Sequence, residues 1–356
     1  MIQNKLLFSK KKKFFLNRIF VSPMCQYSAK KGVPTDWHYR HLSNLIMSGA
    51  GLLMLESTAV MSKGRISKKD LCIETNLQTK EFKKLVKHLK KINDLPIGIQ
   101  LSHSGRKGSS EIPWIKSNSP IKNKNEGWAT ISSSNIPKDT GWPKPKKMTL
   151  KDINHVKKKF KASIKNSLKA NFDLLELHMA HGYLLHQFLS PICNIRKDEY
   201  GGSKLKRFKF PLDVAKIARK FWPKNKILGA RITGNDHLKD GIDTQEALEF
   251  CKELEKIGFD YVCVSSGGII TKTKLKPKKF YRLEFAKKIK KYTKLKVGIT
   301  GMTNDIIIAD KLIKKNYFDG IFVGRPFLKN PFFLFNEKAL KNKNFMKPPK
   351  QYIRGY

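Results

Sequence analysis

Short apolar runs alternate with longer amphipathic stretches along nearly the whole chain. Eight runs read as strands: Ile19 to Met24, Gly51 to Ala59, Pro96 to Leu101, Leu174 to His178, Ile227 to Ile232, Tyr261 to Ser265, Lys296 to Thr300 and Gly320 to Val323. Between them, apolar residues recur at three- and four-residue spacing, the stripe of a surface helix. Lys80 to Asn93 is the clearest, with Phe82, Leu85, Val86, Leu89 and Ile92 on one side and lysines on the other. Asp36 to Met47, Arg207 to Phe221 and Arg282 to Tyr292 read the same way. Thr149, with Asp152 three residues on, opens a helix to about Ala170, Gly258 stops one over Thr244 to Ile257, and Thr303 caps one to Lys315. Eight strand–helix units in order predict an α/β fold, a single (β/α)8 TIM barrel, with residues 1–356 as one domain. The proline-containing stretch of about 108–147 after the third strand is predicted to be a long excursion, and about 341–356 a C-terminal tail.

The fourth run differs from the others. A strand period of two puts Leu175 and Leu177 on one face and Glu176 with His178 on the other. A polar inner face and an apolar outer one suit a barrel strand covered by helices. His178, His181 and Tyr183 then leave its carboxyl end together, where such barrels collect their reactive groups. Cys25, Tyr27, Gln100, Arg231, Ser265, Gly301, Gly324 and Arg325 stand at the other exits. Gly301 and Gly324 let backbone N–H groups approach an anion, and Arg325 can fork onto it; ordinary turn glycines are the plainer reading.

The two histidines admit three readings: metal ligands, satisfied structural side chains, or donors to a substrate oxygen. No Asp or Glu is spaced nearby to complete a metal site, so no metal is predicted. Tyr183 can deliver a proton in a dry pocket, or simply pack. Cys25, taken alone, reads as a small buried side chain. Glu176 needs a cationic or hydrogen-bonding partner, and Arg231 on the next strand is the expected one.

Charge changes the picture less than its size suggests. Lys+Arg number 73 against 28 Asp+Glu, a net +45 that raises nucleic acid or a membrane surface as partners. The lysines recur on the polar faces of successive helices rather than in one patch, so a solvated basic surface is expected instead of a nucleic-acid site. Five cysteines without a CxxC pair argue against a disulfide framework or a zinc ribbon and for a reducing, cytoplasmic setting. No run approaches the roughly 18 apolar residues of a membrane span, and Met1 to Phe15 lacks a signal peptide's apolar core.

Several motifs then appear in an order that matches one known family. They include Ser22-Pro23-Met24-Cys25-Gln26-Tyr27, Glu56-Ser57-Thr58-Ala59-Val60, Gly98-Ile99-Gln100-Leu101-Ser102-His103-Ser104-Gly105-Arg106-Lys107 and His178-Met179-Ala180-His181-Gly182-Tyr183. Arg196-Lys197-Asp198-Glu199-Tyr200-Gly201-Gly202, Gly324-Arg325-Pro326 and Gln351-Tyr352-Ile353-Arg354-Gly355-Tyr356 complete the set. On these residues the chain resembles the old yellow enzymes, FMN-dependent ene-reductases, and especially their thermophilic-like bacterial subclass.

The resemblance implies FMN across the barrel mouth, with Pro23, Met24 and Cys25 beside its ring, Ala59 and Gln100 at its polar edge and Arg231 near N1 and O2. The phosphate would lie on Gly301, Met302, Gly324 and Arg325. His178 and His181 would grip the carbonyl oxygen of an α,β-unsaturated substrate while flavin N5 passes hydride to the β-carbon, and Tyr183 would protonate the α-carbon. NADPH or NADH would reduce the flavin first, giving ping-pong kinetics. Tyr27 would shape the substrate site, and Arg354 would reach a neighbouring subunit in a homo-oligomer, a dimer or tetramer. The sequence departs from its relatives at Lys206, at Phe280-Tyr281-Arg282, which replaces a common Gly-Tyr-Gln, and at Asn330. The alternatives are a 2,4-dienoyl-CoA reductase-like flavoenzyme and, from a different class, a basic barrel that binds nucleic acid without catalysis.

Overall fold

A computed structural model describes residues 1–8, 14–122, 126–271, 277–337 and 348–355. Eight parallel strands close into a barrel: β1 Ile19–Val21, β2 Leu52–Ala59, β3 Ile97–Ser102, β4 Leu174–Met179, β5 Ile227–Thr233, β6 Tyr261–Ser265, β7 Lys296–Thr300 and β8 Gly320–Val323. Each pairs with its neighbour in sequence, and β8 closes on β1 with Ile321 against Ile19. The predicted β1 is too long at its end. Ser22 makes the last ladder bond, donating its amide to Val323 O at 2.8 Å, and Pro23 has no N–H to continue it.

The helices of the shell include α1 Asp36–Ile46, α2 Asn76–Ile92, α3 Leu150–Lys169, α4 Lys204–Phe221, α5 Thr244–Ile257, α6 Leu283–Tyr292, α7 Ile306–Lys314 and α8 Arg325–Lys329, and short helices also form at Leu184–Leu189, after β4, and at Phe333–Asn336. α3 begins at the capping box of Thr149 and Asp152, and α5 ends at Gly258 in the left-handed region (φ 94°). Two starts lie earlier than periodicity predicts, because the caps are polar residues outside the apolar stripe: Thr75 with Gln78 opens α2, and Ser203 opens α4. The cap of α7 is Asp305 rather than Thr303, whose hydroxyl instead donates to Phe322 O at 3.3 Å. The excursion carries a helical turn, Pro113–Lys116, and a small parallel pair, Ile131–Ser132 with Lys146–Lys147. Of the predicted tail, 341–347 and 356 fall outside the described residues, and Lys350–Gly355 forms a 3-10 turn.

Alternation along the strands sorts the interior into layers. Leu175 and Leu177 pack outward into the helical shell. Leu174 points to a second, inner cluster with Phe20, Leu52, Met54, Ile227, Tyr261, Cys263 and Phe322. The N-terminal hairpin, Leu6–Leu7 with Phe14–Phe15, extends that cluster: Phe8, Phe15, Phe20 and Phe322 follow one another edge to face at 4.9–5.1 Å. Above this apolar floor the inward positions become polar.

One strand glycine controls that transition. In register, Gly229 on β5 lies between Glu176 on β4 and Tyr261 on β6. A Cβ at Gly229 would meet the Tyr261 ring at 2.0 Å, so the ring can cross β5 only because there is none. Gly229→Ala is therefore expected to destabilise the fold by about 1–3 kcal/mol, the cost of overpacking a closed core. Urea unfolding of the native chain and the variant measures it, and an unchanged midpoint would count against this packing.

Candidate active site at the barrel mouth

Glu176 is fully buried and takes its two hydrogen bonds from neutral donors: Gln100 Nε2 at 2.7 Å and Tyr261 Oη at 2.8 Å. The expected pairing with Arg231 does not form. Register places Arg231 opposite His178, two positions beyond Glu176, and its Nη1 donates to Ser22 Oγ at 3.2 Å. Burial pushes the Glu176 carboxyl up, while Arg231, acting at longer range, and the two donors pull it down. Arg231 is itself buried with Nε unpartnered.

Above this layer the β4 exit brings together the three residues predicted from sequence. The His178 ring stands edge-on to His181, centroids 5.1 Å apart, and to Tyr183 at 4.5 Å. His178 Nδ1 accepts from the Ala180 amide at 3.3 Å, which leaves the ring proton on Nε2. His181 Nε2 meets Ser265 Oγ at 2.5 Å, and its amide donates to Thr233 Oγ1. Burial first, and Arg231 second, hold both imidazoles well below the usual histidine range, so they are neutral. Burial likewise pushes the Tyr183 phenol well above its ordinary value, keeping it protonated.

The turn carrying these groups is strained and clamped. His181 (φ 57°) and Gly182 (φ 71°) are consecutive left-handed residues. A Cβ on Gly182 would lie 2.3 Å from Gly268 O, so the loops after β4 and β6 touch through bare backbone. Lys107 Nζ donates to His181 O at 2.8 Å, and Arg106 Nη2 to Ile269 O at 2.6 Å. His186 Nδ1 accepts from the Gly182 amide at 2.8 Å while its Nε2 lies 3.1 Å from buried Asp236. Sequence alone does not mark Arg106, Lys107, His186 and Asp236 as site residues: Arg106 and Lys107 follow the third strand within a family-like motif, but His186 looks like any helical position.

A second cluster lies at the β1 exit, where Met24 borders Gly324. Ligand atoms of Cys25, Glu56 and Asp70 lie within 4.8 Å of one another, the group of metal-ligand type found among the described residues. Glu56 accepts from the Gln26 amide at 3.0 Å and sits 3.2 Å from His38 Nε2. Asp70 Oδ2 accepts from the Ser67 amide and hydroxyl at 2.5 Å, and Oδ1 has no partner. Burial drives the Cys25 thiol well up and Asp70 to about 7, so both favour their protonated forms, the opposite of what a cation needs. Tyr27, left-handed at φ 49°, meets Trp114 of the excursion edge-on at 5.9 Å.

The β7 and β8 exits present a different chemistry. Gly301 (φ 102°) and Met302 (φ 52°) are both left-handed, and Gly324 caps α8 ahead of exposed Arg325. A Cβ on Gly324 would touch Met24 Sδ at 3.3 Å, and one on Gly301 would lie 2.5 Å from Arg282 Nη1. Pro23 is half-buried after β1 and Ala59 buried at the end of β2. Arg354 is exposed on the terminal turn, where Pro349 to Tyr352 line a cleft with Met47 and Lys91 to Asn93; no described contact joins it to the mouth.

Residues 8–344 match the NADH:flavin oxidoreductase / NADH oxidase family. The NADPH dehydrogenase of Listeria innocua serovar 6a is 34% identical over 346 residues, 96% of this chain and 95% of that protein. Morphinone reductase in complex with tetrahydroNAD shares the architecture with a TM-score of 0.77 at 21% identity, over 94% of this chain and 91% of that one. 2-Naphthoyl-CoA reductase gives 0.83 at 18% identity over 93% of this chain and 51% of its own, so this chain spans about half of that longer protein.

The Asp70 geometry has a measurable consequence. The folded chain holds this proton more tightly than the unfolded one, so stability falls as pH rises from the ordinary value of 3.8 towards about 7. Asp70→Asn keeps an acceptor for Ser67 and removes the ionisation. The variant is expected to lose less stability than the native chain between about pH 4 and pH 8, by an amount on the order of 1–4 kcal/mol. Denaturant midpoints at the two pH values decide it; parallel losses in both proteins would be the contrary result.

Proposed function

We propose that this chain, which belongs to the NADH:flavin oxidoreductase / NADH oxidase family and is an FMN-dependent NAD(P)H oxidoreductase of the old yellow enzyme type, reduces the C=C bond of α,β-unsaturated carbonyl compounds. The observation that carries the reading is the β4 cluster: two neutral imidazoles and an un-ionised phenol packed ring against ring at the mouth.

The residues present fit FMN. Arg231 keeps a buried donor, Nε, without a partner at the mouth, as a group with an electron-rich edge requires, and Gly301 and Gly324 let Arg282 and Met24 close on the exit backbone. Pro23, Met24, Cys25, Ala59 and Gln100 would hold the ring, Arg231 its electron-rich edge, and Gly301, Met302, Gly324 and Arg325 the phosphate. When bound, FMN supplies the two-electron chemistry, taking hydride from NADPH or NADH and returning it to the substrate's β-carbon.

The remaining work falls to the chain. His178, with its proton on Nε2, donates to the substrate carbonyl, and His181 joins it as that oxygen takes the place of Ser265 Oγ. Neutral imidazoles polarise the carbonyl by hydrogen bonding without surrendering a proton to it. That withdrawal makes the β-carbon electrophilic. Tyr183, fully protonated at neutral pH, delivers the α-carbon proton. Gln100 is held in one orientation by Glu176, and Tyr27 with Trp114 borders the substrate side. Arg354 would complete the mouth of a second copy in a homo-oligomer.

With the flavin reduced chemically, so that the nicotinamide step is bypassed, the double variant His178→Ala/His181→Ala is expected to be reoxidised by cyclohexenone about 10²–10³-fold more slowly than the native enzyme, the scale of losing donors at a developing oxyanion. Tyr183→Phe should keep substrate binding and slow the same turnover. Stopped-flow absorbance of the flavin reads both, and a double variant at the native rate would remove the histidines from the mechanism.

A further inference from the structure

Arg282 sits at the mouth with no acidic partner. It caps α6, its Nε donates to Ser266 Oγ at 2.9 Å and its Nη2 points at Ser266 O at 3.5 Å. The Tyr281 ring lies 4.4 Å from the guanidinium carbon. This leaves Nη1 directed at the β7 exit, where a Cβ on Gly301 would come within 2.5 Å of it. No ion pair to Arg282 forms among the described residues. Burial lowers its proton affinity to about 10, and Arg231 adds to the same effect. A half-buried guanidinium stacked on one face and bonded along one edge keeps its other edge free to fork onto an anion.

We propose that Arg282 is a second guanidinium for the cofactor phosphate, reaching from the β6 side to the anion cradle of Gly301, Gly324 and Arg325. The inference rests on the placement of FMN given above. The cradle itself favours this occupant over a substrate carboxylate. Nη1 abuts the backbone of Gly301, a left-handed residue at the end of β7, whose barrel neighbour β8 leads to Gly324 and Arg325. Arg325 is exposed and Arg282 half-buried. A phosphate monoester carries close to two charges at neutral pH and has three acceptor oxygens, enough for two arginines and the backbone amides together. A glutamine at this position could donate a hydrogen bond but no charge.

The consequence is a stronger preference for FMN over riboflavin than Arg325 alone would give. The test titrates apoprotein of the full chain with FMN and with riboflavin, following quenching of flavin fluorescence, for the native chain, Arg282→Gln, Arg282→Lys and Arg325→Gln. Arg282→Gln is expected to weaken FMN binding roughly ten- to hundredfold, the effect of losing a charge-assisted hydrogen bond, and to leave riboflavin binding unchanged. Arg282→Lys should recover part of the loss, and the native preference for FMN should shrink with added salt. Equal losses for FMN and riboflavin would overturn the inference, because Arg282 would then serve the ring or the ribityl chain. Unchanged FMN affinity in Arg282→Gln, with a loss in Arg325→Gln, would overturn it while keeping the phosphate in the cradle. No loss in either variant would remove the phosphate placement itself. Circular dichroism of each apoprotein separates these outcomes from misfolding, and Arg282→Lys stands in should Arg282→Gln fail to fold.

Discussion

A carboxylate buried inside the barrel is the constraint on which the rest of the mouth depends. Burial pushes the Glu176 carboxyl up, and the group is held in place by two hydrogen bonds from Gln100 and Tyr261, which with the more distant Arg231 pull it back down. Both donors are neutral, and that detail matters. Had Glu176 paired with Arg231, the two charges would have cancelled below the site. With Gln100 and Tyr261 in that role, Arg231 keeps its field and an unpartnered Nε at the level of the chemistry. The arrangement reaches down into the fold, since Tyr261 can reach Glu176 only across Gly229, and Tyr261 belongs to the apolar floor that the N-terminal phenylalanines close.

The same field adds to burial in setting the protonation states at the β4 exit. Arg231 is the second cause, after burial, holding His178 and His181 neutral. A neutral pair can donate hydrogen bonds to a carbonyl without becoming a competing acid beside Tyr183. Their geometry is maintained against strain. A left-handed non-glycine residue such as His181 costs on the order of 1–3 kcal/mol, and it persists where surrounding contacts over-determine it. Here those contacts are Lys107 on its carbonyl, Thr233 on its amide, and His186 with Asp236 under the next residue.

Much of this was legible in the chain, for identifiable reasons. Strands β6, β7 and β8 and helix α5 carry their boundaries in local signals, such as the glycine ending α5 and the glycines following β6 to β8. The inward face of β4 followed from a period of two, which no tertiary contact could alter without a register slip. The Glu176 partner was missed because Tyr261 lies two strands away and arrives over a glycine, a relation that adjacency along the sequence does not express. The α7 cap was misplaced because Thr303 and Asp305 are both good caps, and Thr303 is drawn off by Phe322 O. Arg282 reads as the first residue of a helix; only the folded chain brings it against Gly301.

The basic composition and the cations of the site are separate populations. Among the described residues the buried cations are arginines, Arg106, Arg196, Arg207 and Arg231, and no lysine is buried to that degree. The reason is chemical. A planar, weakly hydrated guanidinium can satisfy several carbonyls at once, as Arg106 does with Ile136, Pro137 and Ile269, whereas an ammonium loses more hydration on burial. Lysine therefore accumulates on the helical shell, where it changes the long-range field and solubility. A net charge of +45 is thus mostly a property of the shell, while the buried cations are a few arginines, of which Arg196 and Arg207 are paired with Asp198 and Glu246 and Arg231 has no acidic partner within ion-pair distance among the described residues.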